Sequence, residues 1–377
     1  MTSFLRYLTT IATISAIALS SPAQSLESLP GAQFGYAVIN LKTGQTTASL
    51  NRKQAFIPAS TLKCVTTAAA LSCLGPQYTF DTYVLHNGSI LNDTLYGNLI
   101  IVPSGDPSIN DTICQHIARK GITHITGSVS IPASEPHIVP TAMIEDVGTD
   151  YGVGWSTFNY HGNRALINDS TVAMPLRHLV DDLIIDLYAN GINIADNPCH
   201  ATDTTLLFTH QSAPLGKLCR HMMCESDNLY AESVGRALDP GRNLSGAIDS
   251  MRVFLNSINI GATDMRIVDM SGLSRTNLTT PIAMARLLAA MAGNHQYTAS
   301  FPVVGRTGTV KRLLTKTRLA GRLILKSGSM TGVLAYAGYK IDTNGRPTHA
   351  VVIMVNNALC KQSTVKQAIE SWLLTTF

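Results

Sequence analysis

The sequence predicts a mixed α/β fold of the α+β kind, in which helices cover an antiparallel sheet that is interrupted by an inserted mixed α/β accessory domain. Alternating apolar and polar residues around a Thr-Gly turn indicate a hairpin with strands at 34–41 and 45–50. Helical periodicity then dominates 212–293. Alternation returns in the last part of the chain, before a closing helix. We therefore expect both ends of the chain to meet in one sheet.

The middle of the chain reads differently from its ends. It contains short strand patterns separated by Asn-Gly and Gly-Asn turns, together with helical segments and no detectable repeat. The segment from 84 to 205 is too long to be a structureless loop. We predict a catalytic domain formed by 24–83 and 206–377, with the accessory domain inserted at 84–205.

The first residues have the order of a secretory signal. Arg6 precedes an apolar stretch at 7–20, and Ser21-Pro22-Ala23 supplies small residues at the cleavage spacing. This pattern predicts a signal peptide at 1–23 and an exported protein of the periplasm or cell surface. The alternatives are an uncleaved anchor or a buried helix. No other stretch has the roughly 18 uninterrupted apolar residues of a membrane span, so no transmembrane segment is expected after signal removal.

Composition excludes several classes of protein. The formal charge of +4 and the absence of a dense basic run give no reason to expect a nucleic-acid partner. The seven cysteines have neither CxxC nor zinc-ligand spacing, so no metal is predicted. Cys219 and Cys224 could form a disulfide, although most cysteines read as small buried apolar residues.

A serine and a lysine lie three residues apart where a helix is expected to begin. The segment 57–75 starts with Ile-Pro-Ala-Ser-Thr-Leu-Lys, continues as an apolar run and ends at Gly75-Pro76. Positions i and i+3 share a helix face, so Lys63 can lie beside Ser60. Ser60 is then either an ordinary helix cap or a nucleophile whose base is a lysine made neutral by burial and a second cation. The spacing alone leaves both open.

Two further motifs follow in chain order, each with an ordinary structural explanation. Ser226-Asp227-Asn228 is a good turn and cap sequence between two helices, and Lys326-Ser327-Gly328 could be a strand end with a bulge. Ser-x-x-Lys, Ser-Asp-Asn and Lys-Thr-Gly together are, however, the active-site set of class A β-lactamases and penicillin-binding proteins. Their order and their contexts match here. The three motifs jointly favour acyl transfer on Ser60, with Lys326 as the second cation.

At this point the sequence resembles the class C low-molecular-mass penicillin-binding proteins, which are D-alanyl-D-alanine carboxypeptidase/endopeptidases. Family landmarks occur in family order, in segments that read PASTLK, SGDPSI, GWSTFNYHG, SDNLYAESVGRAL, VDMSGLSRTNLTTP, GRTGTV and KSGSMTGVLAYAGY. The resemblance spans 58–339. It implies a penicillin-recognising serine hydrolase domain interrupted by an insert that is shorter than in larger members.

The resemblance also implies a role for each motif residue. Ser60 would be acylated and Lys63 would be its base. Ser226 would relay a proton, and Asn228 would bind the substrate amide. The remaining roles, in carboxylate binding and the oxyanion hole, fall to Lys326, Ser327, Gly328 and Ser329, with the backbone N–H groups of Ser60 and Ser329 forming the hole. Asp227 is expected to cap or pack.

The third motif departs from the commoner Lys-Thr-Gly. Ser327 keeps the hydroxyl that binds a carboxylate but lacks the methyl group that stiffens χ1, so we expect altered affinity or rate. The implied substrates are peptidoglycan stem peptides, with β-lactam antibiotics as covalent ligands and no cofactor. A serine β-lactamase or esterase on the same fold, or a non-catalytic muropeptide-binding envelope protein, are the alternatives.

Overall fold

The protein is described by a computed structural model that covers residues 25–132, 154–167, 170–173, 176–200 and 203–377. The predicted signal peptide at 1–23 lies outside the described residues. Among the described residues, no helix has the length and apolar composition needed to cross a membrane.

The strands of the described residues, in chain order, are β1 Gln33–Asn40, β2 Thr46–Leu50, β3 Asp81–His86, β4 Ser89–Leu91, β5 Thr94–Tyr96, β6 Leu99–Val102, β7 His124–Ile125, β8 Val129–Ser130, β9 Arg164–Ile167, β10 Ser170–Ala173, β11 Asn193–Ile194, β12 Thr205–Gln211, β13 Met265–Arg266, β14 Leu278–Thr279, β15 Leu323–Met330, β16 Val333–Ile341 and β17 Pro347–Asn356.

The α-helices of the same residues are α1 Lys63–Cys73, α2 Thr112–Arg119, α3 Leu176–Ala189, α4 Leu215–Glu225, α5 Asn228–Arg236, α6 Leu244–Ser257, α7 Pro281–Met291, α8 His295–Ser300 and α9 Gln362–Thr376. Short 3-10 turns occur at Leu26–Ser28, Ala59–Leu62, Tyr160–Asn163 and Gly308–Val310.

The main sheet brings the two ends of the chain together, as the sequence predicts. Its five strands run in the order β15-β16-β17-β1-β2, and every neighbouring pair is antiparallel. The N-terminal strand β1 pairs along its whole length with β17, from Gln33 opposite Asn356 to Asn40 opposite His349. The predicted hairpin is β1 and β2, and the predicted fold class is confirmed.

Alternation along these strands divides the core into two layers. On one face, Ala37, Ala337 and Val352 pack with α1, α4 and α7 in the largest apolar cluster. On the other face, alternate residues such as Val38 and Ile353 pack with α9. Because side chains of a strand alternate between faces, a sheet covered by helices on both sides needs apolar residues at nearly every position. Strand β17 meets this need, since its last seven residues are buried.

The middle of the chain has sheets of its own. One has the strand order β12-β3-β6-β8 and the other β11-β7-β5-β4, and α2 and α3 share a third apolar cluster with them. Strands β3 and β12 pair from His86 opposite Thr205 to Asp81 opposite Gln211, so the chain enters and leaves this region side by side. Such an arrangement allows a folded unit to be inserted without separating the flanking segments.

All seven cysteines lie among the described residues, and all are free thiols. The possible bridge between Cys219 and Cys224 is therefore absent. Burial as a small apolar residue holds for Cys64, Cys114 and Cys219, whereas Cys73 and Cys199 are exposed.

Candidate active site

Ser60 lies in a tight turn that leads directly into α1. The 3-10 turn Ala59–Leu62 precedes the helix, so α1 itself begins at Lys63 rather than at Ala59-Ser60 as predicted. Ala59 is fully buried at φ 45°, a backbone conformation that residues with a Cβ rarely adopt. Such strain persists only where neighbouring structure holds it, and it is common at functional sites. The turn leaves the Ser60 side chain half-buried beside the N-terminus of α1.

Lys63 connects the first two motifs. Its Nζ donates to Ser60 Oγ at 2.9 Å and to Asn228 Oδ1 at 2.6 Å. A third bond, 2.8 Å long, goes to the backbone carbonyl of Ser271. The structure therefore brings Ser60, Lys63 and Asn228 together, and the ammonium has three oxygen partners although Lys63 is fully buried.

The position of Lys63 prepares it to exchange a proton. Burial lowers its pKa from 10.5 to about 8, against the opposing effect of the carboxylates of Asp269, Asp227 and Glu232, which favour the charged form. A lysine with a pKa near the working pH can act as a general base toward a hydroxyl within hydrogen-bond distance.

Lys326 connects the second and third motifs. Its Nζ donates to Ser226 Oγ and to the Ser327 carbonyl, both at 2.8 Å. Ser226 lies between α4 and α5 at φ 63° and ends α4 in a left-handed conformation. Asp227 caps α5 by accepting from the Tyr230 N–H at 3.1 Å, which confirms the capping role expected of it.

The pKa of the second lysine is lowered as well. Burial first, and then the charge of Lys63, lower the pKa of Lys326 to about 7. Among the described residues, three carboxylates favour the charged form of Lys63, whereas none raises the pKa of Lys326. Burial is the main cause of the lowered pKa of Lys63, and the role of Lys326 as a second cation stays a prediction.

The hydroxyls of Ser327, predicted to bind a carboxylate, and of Ser329, whose backbone N–H is predicted to serve the oxyanion hole, each have a partner from another element. Ser327 Oγ lies 2.6 Å from Thr309 Oγ1. Ser329 Oγ accepts from Gln362 Nε2 at 2.8 Å, and the same amide donates to the Met330 carbonyl at 3.0 Å. Because a hydroxyl carries one proton, an oxygen that accepts from a neighbour keeps its own hydrogen for another acceptor. Neither Thr309 nor Gln362 was identified as a site residue from the sequence.

Thr309→Val is expected to weaken binding of a peptide with a free C-terminal carboxylate. The change removes the partner of Ser327 and should raise KM three- to tenfold, about the effect of one hydrogen bond, with little change in kcat. Steady-state kinetics would measure this, with Thr47→Val on the distant edge strand β2 as the matched control. An unchanged KM for Thr309→Val would contradict the expectation.

Two glycines allow the parts of the site to approach each other. A Cβ on Gly328 would lie 2.5 Å from the Pro58 carbonyl and 3.1 Å from the Ser60 nitrogen, so β15 passes directly against the turn that holds Ser60. Gly272 has φ +86°, and a Cβ there would lie 2.0 Å from the Ala59 carbonyl. Any side chain at either position would push the turn aside.

A buried acid network holds the loop that supplies the Ser271 carbonyl. Asp269 accepts from the Gly272 and Ser274 N–H groups at 2.7 and 2.6 Å, and from Asn277 Nδ2 at 2.9 Å. Glu232 accepts from the Met270 N–H at 3.1 Å, and burial followed by the charge of Asp269 raises its pKa to about 7. The sequence marked this loop as a family landmark but gave no role to these acids.

The part of the chain that the structure describes contains no cluster of side chains that could bind a metal ion. No group of three or more His, Cys, Asp or Glu side chains there is placed to hold an ion. The site consists instead of two hydroxyl–lysine pairs on facing elements, one on the turn before α1 and one between α4 and β15. This arrangement can activate a serine and bind an anionic group beside it.

Comparison with known sequences gives a family match over most of the chain. The profile of the D-Ala-D-Ala carboxypeptidase 3 (S13) family matches residues 15–159 and 176–376. A carboxypeptidase of Mycobacterium tuberculosis is 30% identical over 332 residues, which cover 77% of this chain and 69% of that protein. The D-alanyl-D-alanine carboxypeptidase DacB of Haemophilus influenzae is 25% identical over 411 residues, with 84% of each chain covered.

Solved structures share the fold. The crystal structure of penicillin binding protein 4 from Haemophilus influenzae superposes with a TM-score of 0.80 at 22% identity, covering 93% of this chain and 98% of that one. A predatory endopeptidase from Bdellovibrio bacteriovorus gives a TM-score of 0.63 at 15% identity, with 92% and 91% covered. At these identities the likeness concerns the fold.

Proposed function

Because this chain belongs to the D-Ala-D-Ala carboxypeptidase 3 (S13) family and is a serine-type carboxypeptidase, we propose that it cleaves D-Ala-D-Ala bonds of peptidoglycan stem peptides and cross-links through an acyl-enzyme on Ser60. The observation that carries the proposal is the contact of Lys63 Nζ with Ser60 Oγ, 2.9 Å long, made by a lysine whose pKa burial lowers to about 8. A serine needs such a neighbour to become a nucleophile at neutral pH.

In the first step the neutral amine of Lys63 takes the hydroxyl proton of Ser60. Ser60 Oγ then bonds to the carbonyl carbon between the two D-alanines, and the C–N bond breaks. The leaving amine takes a proton delivered through Lys63 or Ser226. Water then attacks the ester, which restores the Ser60 hydroxyl and releases the shortened peptide as a carboxylate.

The other motif residues bind the substrate in this proposal. Ser60 and Ser329 offer backbone N–H groups to the developing oxyanion, and the close approach of Gly328 to the Ser60 nitrogen supports that role. Asn228 binds the amide of the substrate. Lys326 and Ser327 bind the terminal carboxylate, and that negative charge would raise the pKa of Lys326 again and keep it protonated.

Three further proposals concern the setting of the reaction. β-Lactams, which resemble the D-Ala-D-Ala end, acylate Ser60 and leave slowly. The protein is exported to the periplasm or cell surface, which rests on the signal pattern at 1–23. The chain is divided into a catalytic domain, 24–83 plus 206–377, and an accessory domain at 84–205; the paired strands β3 and β12, which lie across these bounds, are where the chain enters and leaves the accessory domain.

The decisive assay uses two substrates. Incubation with a pentapeptide stem and with a cross-linked dimer, followed by mass spectrometry, should show loss of one D-alanine from the first and conversion of the second to monomers. Cleavage of only the pentapeptide would restrict the protein to carboxypeptidase activity. If the protein cleaves neither substrate, the proposal is contradicted.

A further inference from the structure

A cavity of about 390 Å³ lies beside the end of the site formed by Ser226 and Ser327. It is lined by Lys217, Arg220, His221, Cys224, Glu225, Thr307 and Gly308. Chain connectivity fixes its position, since Glu225 directly precedes Ser226, and Gly308 directly precedes Thr309, the partner of Ser327. The two walls touch, because a Cβ on Gly308 would lie 2.6 Å from the Cys224 carbonyl.

One wall of the cavity is a basic face of α4. Lys217, Arg220, His221 and Cys224 follow the spacing that places residues on one side of a helix. Arg220 is held in place by donating through Nη1 to the Ala299 carbonyl. Glu225 is the only acid among the lining residues. The cavity is therefore suited to an anionic group.

The charge of Lys217 has no structural explanation in the helix. Lys217 is the third residue of α4 and is exposed. A cation in the first turn of a helix opposes the helix dipole, which favours negative charge at that end. In the described part of the chain, no hydrogen bond or ion pair of the Lys217 ammonium is found that would offset this cost. A ligand with negative charge would account for the residue.

We propose that this cavity is a subsite for the leaving strand of a cross-linked substrate, and that its basic wall binds a free carboxylate of that strand. The inference rests on the proposed function. A stem pentapeptide ends at the carboxylate bound by Lys326 and Ser327, so nothing of it extends into the cavity. In a cross-link, the leaving amine belongs to a second peptide, which continues past that position along the walls formed by α4 and Thr307-Gly308.

Lys217→Glu tests the subsite with the full chain. We expect kcat/KM for a cross-linked dimer with free carboxylates on the leaving strand to fall about tenfold, while kcat/KM for the pentapeptide stays within twofold of wild type. Raising the salt concentration should reduce the difference in kcat/KM between wild type and Lys217→Glu for the dimer, because the contact is electrostatic and exposed. Lys42→Glu, in the hairpin turn between β1 and β2, makes the same charge change at the opposite edge of the main sheet and should leave both rates unchanged.

A second substrate separates charge from shape. A dimer whose leaving-strand carboxylates are amidated should be cleaved equally by wild type and Lys217→Glu. The helix dipole predicts that Lys217→Glu unfolds at the same temperature or higher, so a loss of activity is not a loss of fold. If Lys217→Glu changes kcat/KM equally for the dimer and the pentapeptide, or changes it for neither, the subsite proposal is overturned. Absence of turnover of both substrates by wild type would overturn the proposed function instead.

Discussion

Ser60→Ala is expected to abolish covalent labelling by fluorescent penicillin and to reduce turnover of a pentapeptide stem by on the order of 10⁶-fold, as loss of a nucleophile does in serine hydrolases. The change removes one oxygen from a half-buried side chain, so the turn and α1 should remain folded. Labelling is read on a denaturing gel, and turnover by mass spectrometry of the peptide.

The matched control is Ser72→Ala. Ser72 lies on α1, which follows the turn that holds Ser60; it is exposed, and its hydroxyl donates to Met291 Sδ at 3.8 Å. This variant should label and hydrolyse like the wild type. Equal labelling of Ser60→Ala and wild type would remove Ser60 from the mechanism, whatever the fold.

Lys63→Met is expected to slow acylation by benzylpenicillin about 10³-fold, within the range found when a general base is lost. Methionine fills much of the same volume without a proton acceptor, and the buried charge disappears with it. Stopped-flow acylation rates and thermal unfolding should be measured on the same samples. Acylation within tenfold of the wild-type rate would contradict the role of Lys63 as base.

The lowered pKa of Lys63 predicts how the acylation rate and the free energy of unfolding change with pH. Acylation by the wild type should rise through a midpoint near pH 8, because the base form of Lys63 appears above its pKa of about 8. Between that value and 10.5 the unfolded chain binds more protons at this lysine than the folded protein. Its contribution to the free energy of unfolding therefore rises with pH across this window. Lys63→Met removes both dependences.

The parts of the fold predicted from sequence are those that local chemistry determines. The Thr43-Gly44 turn and the alternation around it identify β1 and β2. Thr280-Pro281 marks the start of α7, where the Thr280 side chain accepts from the Ala283 N–H. The Ser-Asp-Asn motif lies in the turn between α4 and α5 as expected, because Asp227 is a good cap for the second helix.

The parts that were missed depend on distant contacts. Nothing near Gln362 indicates that its amide reaches Ser329, 33 residues earlier in the chain. The lowered pKa of Lys63 depends on its burial against α5 and the 269–277 loop, where Asn228 and the Ser271 carbonyl accept from its Nζ. The positive φ of Ala59 occurs where Gly272, more than 200 residues later in the chain, packs against its carbonyl.

The pairing of β1 with β17 also bears on the order in which the main sheet can form. During synthesis β1, Gln33–Asn40, is made long before its partner β17, Pro347–Asn356. Lys326 and Ser327 lie on β15, and that strand joins the sheet only through β16, which pairs in turn with β17. Contacts so distant in sequence form late and slowly. A nascent chain that stops before β17 therefore lacks the strand that joins β15 and β16 to β1.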